Sequence, residues 1–296
     1  MRASAMTTEL LQFTFSGLTV GAVYASVALG FTLIYNASHV VNLAQGEFVM
    51  LGAMSTVFLA AAGLPLPVAM ILAVLISMVA GLALHRFAIA PARGADPIAL
   101  IIITIGASIF LRGLAQIVFD KRFHSLPPWF GAEPIVIGGA AVLPQSLVVL
   151  AGMLVVLVGL WLFMTRTLFG RAILAASNNP MAATLVGINV PVIVAATFLI
   201  SSLLGAVVGI LVTPITLTSY DAGTILALKG FAAVMLGGIG NPPGAVLGGL
   251  LLGLAESFGA GLISSQYKDA IAFVILLAVL LLRPRGLLGG AALERV

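Results

Sequence analysis

The run PIALIIITIGASIFLRGLAQIVF, from Pro97 to Phe119, holds a single charge, Arg112, and exceeds the ~20 apolar residues that a helix needs to cross a bilayer core. Eight further apolar segments flank it. They span Leu10–Tyr35, Phe48–Ala62, Pro67–Ile89, Ser146–Met164, Val192–Thr213, Ile225–Ile239, Ala245–Ile263 and Ala270–Leu282. Prolines and glycines punctuate them, as in Leu64-Pro65-Leu66-Pro67 and Gly240-Asn241-Pro242-Pro243-Gly244, because proline lacks an amide donor and restricts the preceding residue. Composition agrees: of 296 residues 61% are hydrophobic and 7% charged, against about 25% charged in a soluble domain. The mean hydropathy is +1.24. So few charges cannot clothe a water-facing surface. The expected fold is an all-α polytopic membrane protein of about eight or nine transmembrane helices, some short or broken, forming one domain over residues 1–296. The first segment is too long for a signal-peptide core, so its retention is expected.

The scarce charges are sorted by loop. If the segments alternate sides, one side receives Arg86, Arg93, Arg166, Arg171, Arg283, Arg285 and Arg295 against Asp96 and Glu294. The opposite side receives Arg2, Lys121, Arg122 and Lys268, offset by Glu9, Asp120, Glu133, Asp221 and Asp269. The positive-inside rule places the first set, and with it the carboxyl terminus, in the cytoplasm. Nine crossings would leave the amino terminus outside.

Several functions are excluded by inventory. The 13 Lys and Arg residues, dispersed between apolar stretches, form no patch interleaved with base-stacking aromatics, so no nucleic-acid partner is expected. Cysteine is absent, and His39, His85 and His124 lie far apart without metal-ligand spacing. No nucleophile elbow and no phosphate-binding loop occurs; Lys121, Lys229 and Lys268 all lack the required glycine framework. The chain is expected not to be an enzyme, to carry no ATPase site, and to need no cofactor or metal.

The polar residues inside apolar segments are then the informative ones, since ionisable groups within a bilayer usually face a bundle interior or a water path. Glu47, Arg112, Lys229 and Glu256 qualify. Arg112 and Glu256, near segment ends, read either as structural ion pairs or as snorkelling groups. Asn42, Gln45 and Glu47 interrupt the pattern at the mouth of a short segment, so they either line a cavity or cap a helix whose dipole favours the carboxylate. Lys229 lies in the other short segment, within pairing range of Glu47 or Glu256. The two short segments, rich in glycine and in opposite thirds of the chain, fit either an internal repeat around a transport site or glycine-mediated helix packing. Asn42, Gln45, Glu47 and Lys229 are therefore the candidate substrate-pathway residues.

One loop stands out, residues 166–191. Its Ala182, Ala183, Leu185 and Val186 favour a short amphipathic helix closed by Gly187, suited either to docking a soluble partner or to lying on lipid.

Three blocks in order then resemble a known family. Gly17-Leu18-Thr19-Val20-Gly21-Ala22-Val23-Tyr24, Leu33-Ile34-Tyr35, Val41-Asn42-Leu43-Ala44-Gln45-Gly46-Glu47 and Met50-Leu51-Gly52-Ala53 form the first. The second is Phe169–Asn189, and the third runs from Lys229-Gly230-Phe231 through Gly240-Asn241-Pro242-Pro243-Gly244 to Glu256. They resemble the LivH-type branched-chain amino acid ABC transporter permeases. The resemblance implies an inner-membrane permease working with a second permease of LivM type, two ATP-binding cassette ATPase subunits and a periplasmic substrate-binding protein, in contact with membrane lipid. It also implies that 166–191 is the cytoplasmic coupling loop. Ala182, Ala183 and Gly187 match its Glu-Ala-Ala-x3-Gly pattern, Met181 replaces the glutamate, and Arg171 joins them as a candidate ATPase-coupling residue. The alternative class is an ATP-independent channel or secondary transporter for small polar solutes such as urea or amides.

Overall fold

A computed structural model describes residues 2–92 and 94–289. Arg93, Glu294 and Arg295 of the charge pattern lie outside the described residues, as does the side chain of Arg2.

Eleven α-helices are present among the described residues: α1 (Arg2–Ser38), α2 (Gln45–Ala61), α3 (Leu66–Leu84, continued by a π-helical turn at His85–Ile89), α4 (Pro97–Phe119), α5 (Pro144–Arg166), α6 (Leu168–Asn178), α7 (Pro180–Leu185), α8 (Val190–Val212), α9 (Ala222–Gly237), α10 (Pro242–Leu262) and α11 (Lys268–Leu282). Seven of the helical stretches are long and apolar enough to cross a membrane, while α2 and α9 are shorter apolar helices. Each of the nine apolar segments of the sequence thus becomes one helix, and α4 keeps its expected bounds. Helix α1 runs well beyond Leu10–Tyr35, because backbone hydrogen bonding continues where hydrophobicity fades. The expected all-α content gains one addition, a hairpin of β1 (Ile135–Ile137) and β2 (Ala140–Val142) turned at Gly138-Gly139, both at positive φ.

Prolines stand in the first turns of α3, α4, α5, α7, α8 and α10, where no intrahelical donor is lost. Side chains cap four helices. Thr167, Asn179, Asn189 and Asn241 accept the amides of Gly170, Ala182, Val192 and Gly244 at 3.0–3.3 Å.

Cross-chain bonds sort the helix ends into two sets. At one end Asn36 Nδ2 donates to the Gly240 carbonyl (3.0 Å), the amides of Leu287 and Leu288 donate to Leu236 and Gly237, and Pro191 adjoins His85 and Arg86. Arg86, Arg166, Arg171, Arg283 and Arg285 gather here, at what we term the basic end. At the opposite end Gln12 bonds the Ala141 backbone in both directions, His124 pairs with Thr218, and Gln145 joins Trp129 to Leu211. Asp120 lies at this hairpin end, where the Arg122 amide and then the His124 ring hold its carboxyl below the usual carboxylate range.

Helices α1, α2, α8 and α10 form the centre. Helices α3, α4, α5 and α11 surround it, with Ile71, Val79, Ile102, Ile117, Val155 and Leu281 exposed on their outer faces, the signature of a chain solvated by lipid. Within the centre, fully buried Ile34, Phe48, Met54 and Phe198 accompany crossings that depend on close backbone approach. A Cβ on Gly249 or Gly253 of α10 would collide with the α1 backbone at Ala25 or Gly21, so only glycine allows this crossing.

Candidate functional site

Helix α2 begins inside the bundle. After α1 ends, His39 adopts φ +55 and the chain passes through 39–44 without helix. At membrane depth this backbone needs internal partners. Thr104 Oγ1 of α4 accepts the Leu43 amide (3.2 Å) and lies 3.2 Å from the Val41 carbonyl, while Asn42 Oδ1 accepts the Ala44 amide (3.2 Å). The break aims the amino-terminal turn of α2 at that of α9, and the two helices touch at reciprocal glycines. A Cβ on Gly46 would overlap the Gly223 carbonyl, and one on Gly223 would press on the Gly46 carbonyl.

Glu47 lies in the first turn of α2, fully buried at this junction. Its Oε1 accepts the Ser108 hydroxyl of α4 (2.8 Å), and its Oε2 is buried without a hydrogen-bond partner. One turn beyond Ser108, Arg112 donates to Thr224 Oγ1 in the first turn of α9 (2.9 Å). Two positive helix ends and a guanidinium therefore surround one carboxylate. Gln45, also fully buried, donates to the Ser201 carbonyl (3.2 Å). The Ser201 hydroxyl sits between Gln45 Oε1 (2.6 Å) and the Gly30 carbonyl (2.9 Å), either of which can accept its proton. The Asn42 amide nitrogen is buried without a partner. Asn42, Gln45 and Glu47 thus form one enclosed polar junction tying α2 to α1, α4, α8 and α9.

Lys229 does not join this group. Its ammonium pairs with Glu256 Oε1 (2.9 Å) and Asp269 Oδ1 (2.6 Å) and lies 5.4 Å from the centre of the Tyr24 ring. Lys268 also reaches Glu256 Oε1 (3.0 Å), and the Tyr24 hydroxyl donates to Glu256 Oε2 (2.9 Å). Of the two partners open to Lys229, the structure selects Glu256. Lys268 and Asp269, expected in a loop, instead start α11 and fasten it to α9 and α10. Two cations and two carboxylates make the cluster neutral.

At the basic end, residues 166–191 form two helices, α6 and α7, where a single short helix was expected. The Thr167 cap starts an additional helix in a stretch too short and too amphipathic to read as an apolar segment. Helix α7 ends in a Schellman motif, with the Gly187 amide on the Thr184 carbonyl and the Ile188 amide on the Ala183 carbonyl (both 3.0 Å). Gly187 has φ +88, with open space around the position of a Cβ. Ala183 packs inward, while Ala182, Met181, Leu185 and Val186 face out. Arg171 Nε donates to the Thr165 carbonyl (3.1 Å).

Ser108, Ser201, Thr224 and Tyr24 were not singled out in the sequence. A signal existed for the first: Thr104, Ser108 and Arg112 recur at i, i+4 and i+8 along α4, a polar stripe on one face of an otherwise apolar helix.

Comparison with known proteins accords with this architecture. A family model described as "Branched-chain amino acid transport system / permease component" matches residues 13–280. The chain is 36% identical to the high-affinity branched-chain amino acid transport system permease protein BraD of Pseudomonas aeruginosa, over 97% of this chain and 98% of that protein. It is 32% identical to the permease proteins LivH of Salmonella typhimurium and of Escherichia coli K12, over 97% of each chain. This chain is a multi-pass membrane protein and belongs to the permease family of branched-chain amino acid transport systems.

Proposed function

We propose that the chain is one of two permease subunits in an ABC importer for branched-chain amino acids. In this reading it lies in the bacterial inner membrane as a single permease domain, with the basic end and carboxyl terminus in the cytoplasm, and lacks an ATPase site of its own. A LivM-type permease completes the path, two ATPase subunits drive it, and a periplasmic binding protein delivers substrate at the hairpin end. The observation that carries the reading is the convergence of the shorter apolar helices α2 and α9 on the buried Asn42, Gln45 and Glu47. Interrupted helices whose amino-terminal ends face each other near the middle of a bundle are a recurrent way to build a transport site. Lys229, in its neutral cluster, positions α9 from the opposite side. The apolar surroundings suit an aliphatic side chain, and the few polar groups suit its charged ends.

Coupling is assigned to α6 and α7, through Arg171, Ala182, Ala183 and Gly187. The outward Met181, Leu185 and Val186 offer an apolar knob where the family pattern has a glutamate, so docking rests on shape and apolar contact. Closure of the ATPases would shift α7 and, through Ala183 and Ile188, the start of α8, which carries Ser201 to Gln45. Reconstitution of the chain with its partner permease, ATPases and binding protein in liposomes tests the assignment. Leucine uptake should require both ATP and the binding protein. Uptake without the ATPases that follows an ion gradient would place the chain among channels or secondary transporters instead.

A further inference from the structure

At the basic end a groove of about 320 Å³ lies between α1, α5, α6 and α10, within the ~300–1,000 Å³ typical of small-molecule sites. Its walls are hydrocarbon, chiefly Leu29, Leu33, Leu157, Leu160, Ile173 and Val246. Such a slot is poorly hydrated and favours an apolar occupant. Its outer wall, α5, presents Leu154, Val158 and Trp161 along one exposed stripe, and Trp161 is 59% exposed at the rim of the groove. An exposed indole ending a lipid-facing stripe marks the headgroup level of a bilayer.

Charge appears at that same level. Thr165 forms part of the rim, and its carbonyl holds the Arg171 guanidinium beside the opening. Exposed Arg166 adjoins it in sequence. Among the described residues neither arginine forms an ion pair with a carboxylate. A hydrocarbon slot topped by an indole and two uncompensated guanidinium groups matches an amphiphile with one buried chain and an anionic head.

We propose that this groove binds an anionic phospholipid, one acyl chain lying between α1, α5, α6 and α10 and the phosphate resting on Arg166 and Arg171. Basic pockets between transmembrane helices take anionic headgroups, and the planar guanidinium fork suits phosphate oxygens. The lipid would brace α6, since Ile173, Leu174 and Ser177 of that helix line the slot. The site is independent of which solute the chain transports.

The test uses the full-length chain carrying Trp129→Phe, which leaves Trp161 as its only indole, in vesicles whose phosphatidylglycerol or phosphatidylcholine bears brominated acyl chains. Brominated phosphatidylglycerol should quench Trp161 at lower mole fraction than brominated phosphatidylcholine. Arg166→Gln and Arg171→Gln should each reduce that preference about fivefold, while thermal unfolding stays put because both side chains are exposed. Val246→Phe, which fills the slot, should remove the preference. Free glycerol phosphate should not compete, since it lacks the chain. Equal quenching by both lipids, a preference unchanged in the arginine variants, or competition by glycerol phosphate would overturn the proposal. So would loss of all quenching on assembly with the partner permease, which would make the groove a subunit interface.

Discussion

Glu256 accepts hydrogen bonds or ion pairs from Lys229, Lys268 and Tyr24 while being wholly buried. Removing one member of such a set leaves an uncompensated charge, which costs about 3–5 kcal/mol, whereas replacing a pair by apolar residues is often near neutral. Glu256→Met should therefore lower the unfolding temperature markedly, and Lys229→Met with Glu256→Met should recover part of the loss; a double variant less stable than the single one would contradict the pairing. Glu47 is the opposite case, a carboxylate with one oxygen unmatched by any donor. Both glutamates could be singled out in the sequence because so few charges interrupt it. Their partners were harder to read, because hydroxyl groups such as Ser108 and Ser201 are common in membrane helices and gain meaning only when a distant helix places a carboxylate or amide beside them.

The elements follow from simpler rules. Hydrophobic run length located α4 to the residue and most other crossings within a few residues, α1 being the exception that extends eight residues earlier, since lipid leaves the backbone no partner but itself. Local rules also fix the end of α7, where Gly187 at φ +88 completes the Schellman motif. A β-branched residue there pays about 1–2 kcal/mol for left-handed backbone but meets no neighbour. Gly187→Val should thus leave the bundle folded while weakening binding-protein stimulation of ATPase activity, and Gly187→Asn should act more mildly; unchanged stimulation in the valine variant would remove α7 from the coupling path. The junction of α2 and α9 has the reverse character. Gly46→Leu or Gly223→Leu must force the two helices apart, an overpacking cost of about 1–3 kcal/mol or more, and each should reduce both yield and transport. What run length could not reveal was α6, which has no apolar run, or the hairpin, whose Gly138-Gly139 turn lies between strands of only three residues each.

For the whole molecule, the described residues form a lipid-solvated shell around a centre of glycine-dependent crossings and buried apolar side chains, with two buried polar sites of different kinds. The cluster at Lys229 is neutral and internally matched, so it fastens α11 to the bundle. The junction at Glu47 joins α2 to four other helices and retains unmatched polar atoms at Glu47 and Asn42, the property expected where a solute's charged ends are received. The central claim is that this junction lies on the path. Its most direct test is leucine uptake into liposomes holding the complete complex, comparing the native chain with Glu47→Gln, which preserves shape while removing the charge. ATP-dependent uptake should fall at least tenfold, about 1.4 kcal/mol, with complex assembly and unfolding temperature retained. Uptake equal to that of the native complex would contradict the central claim.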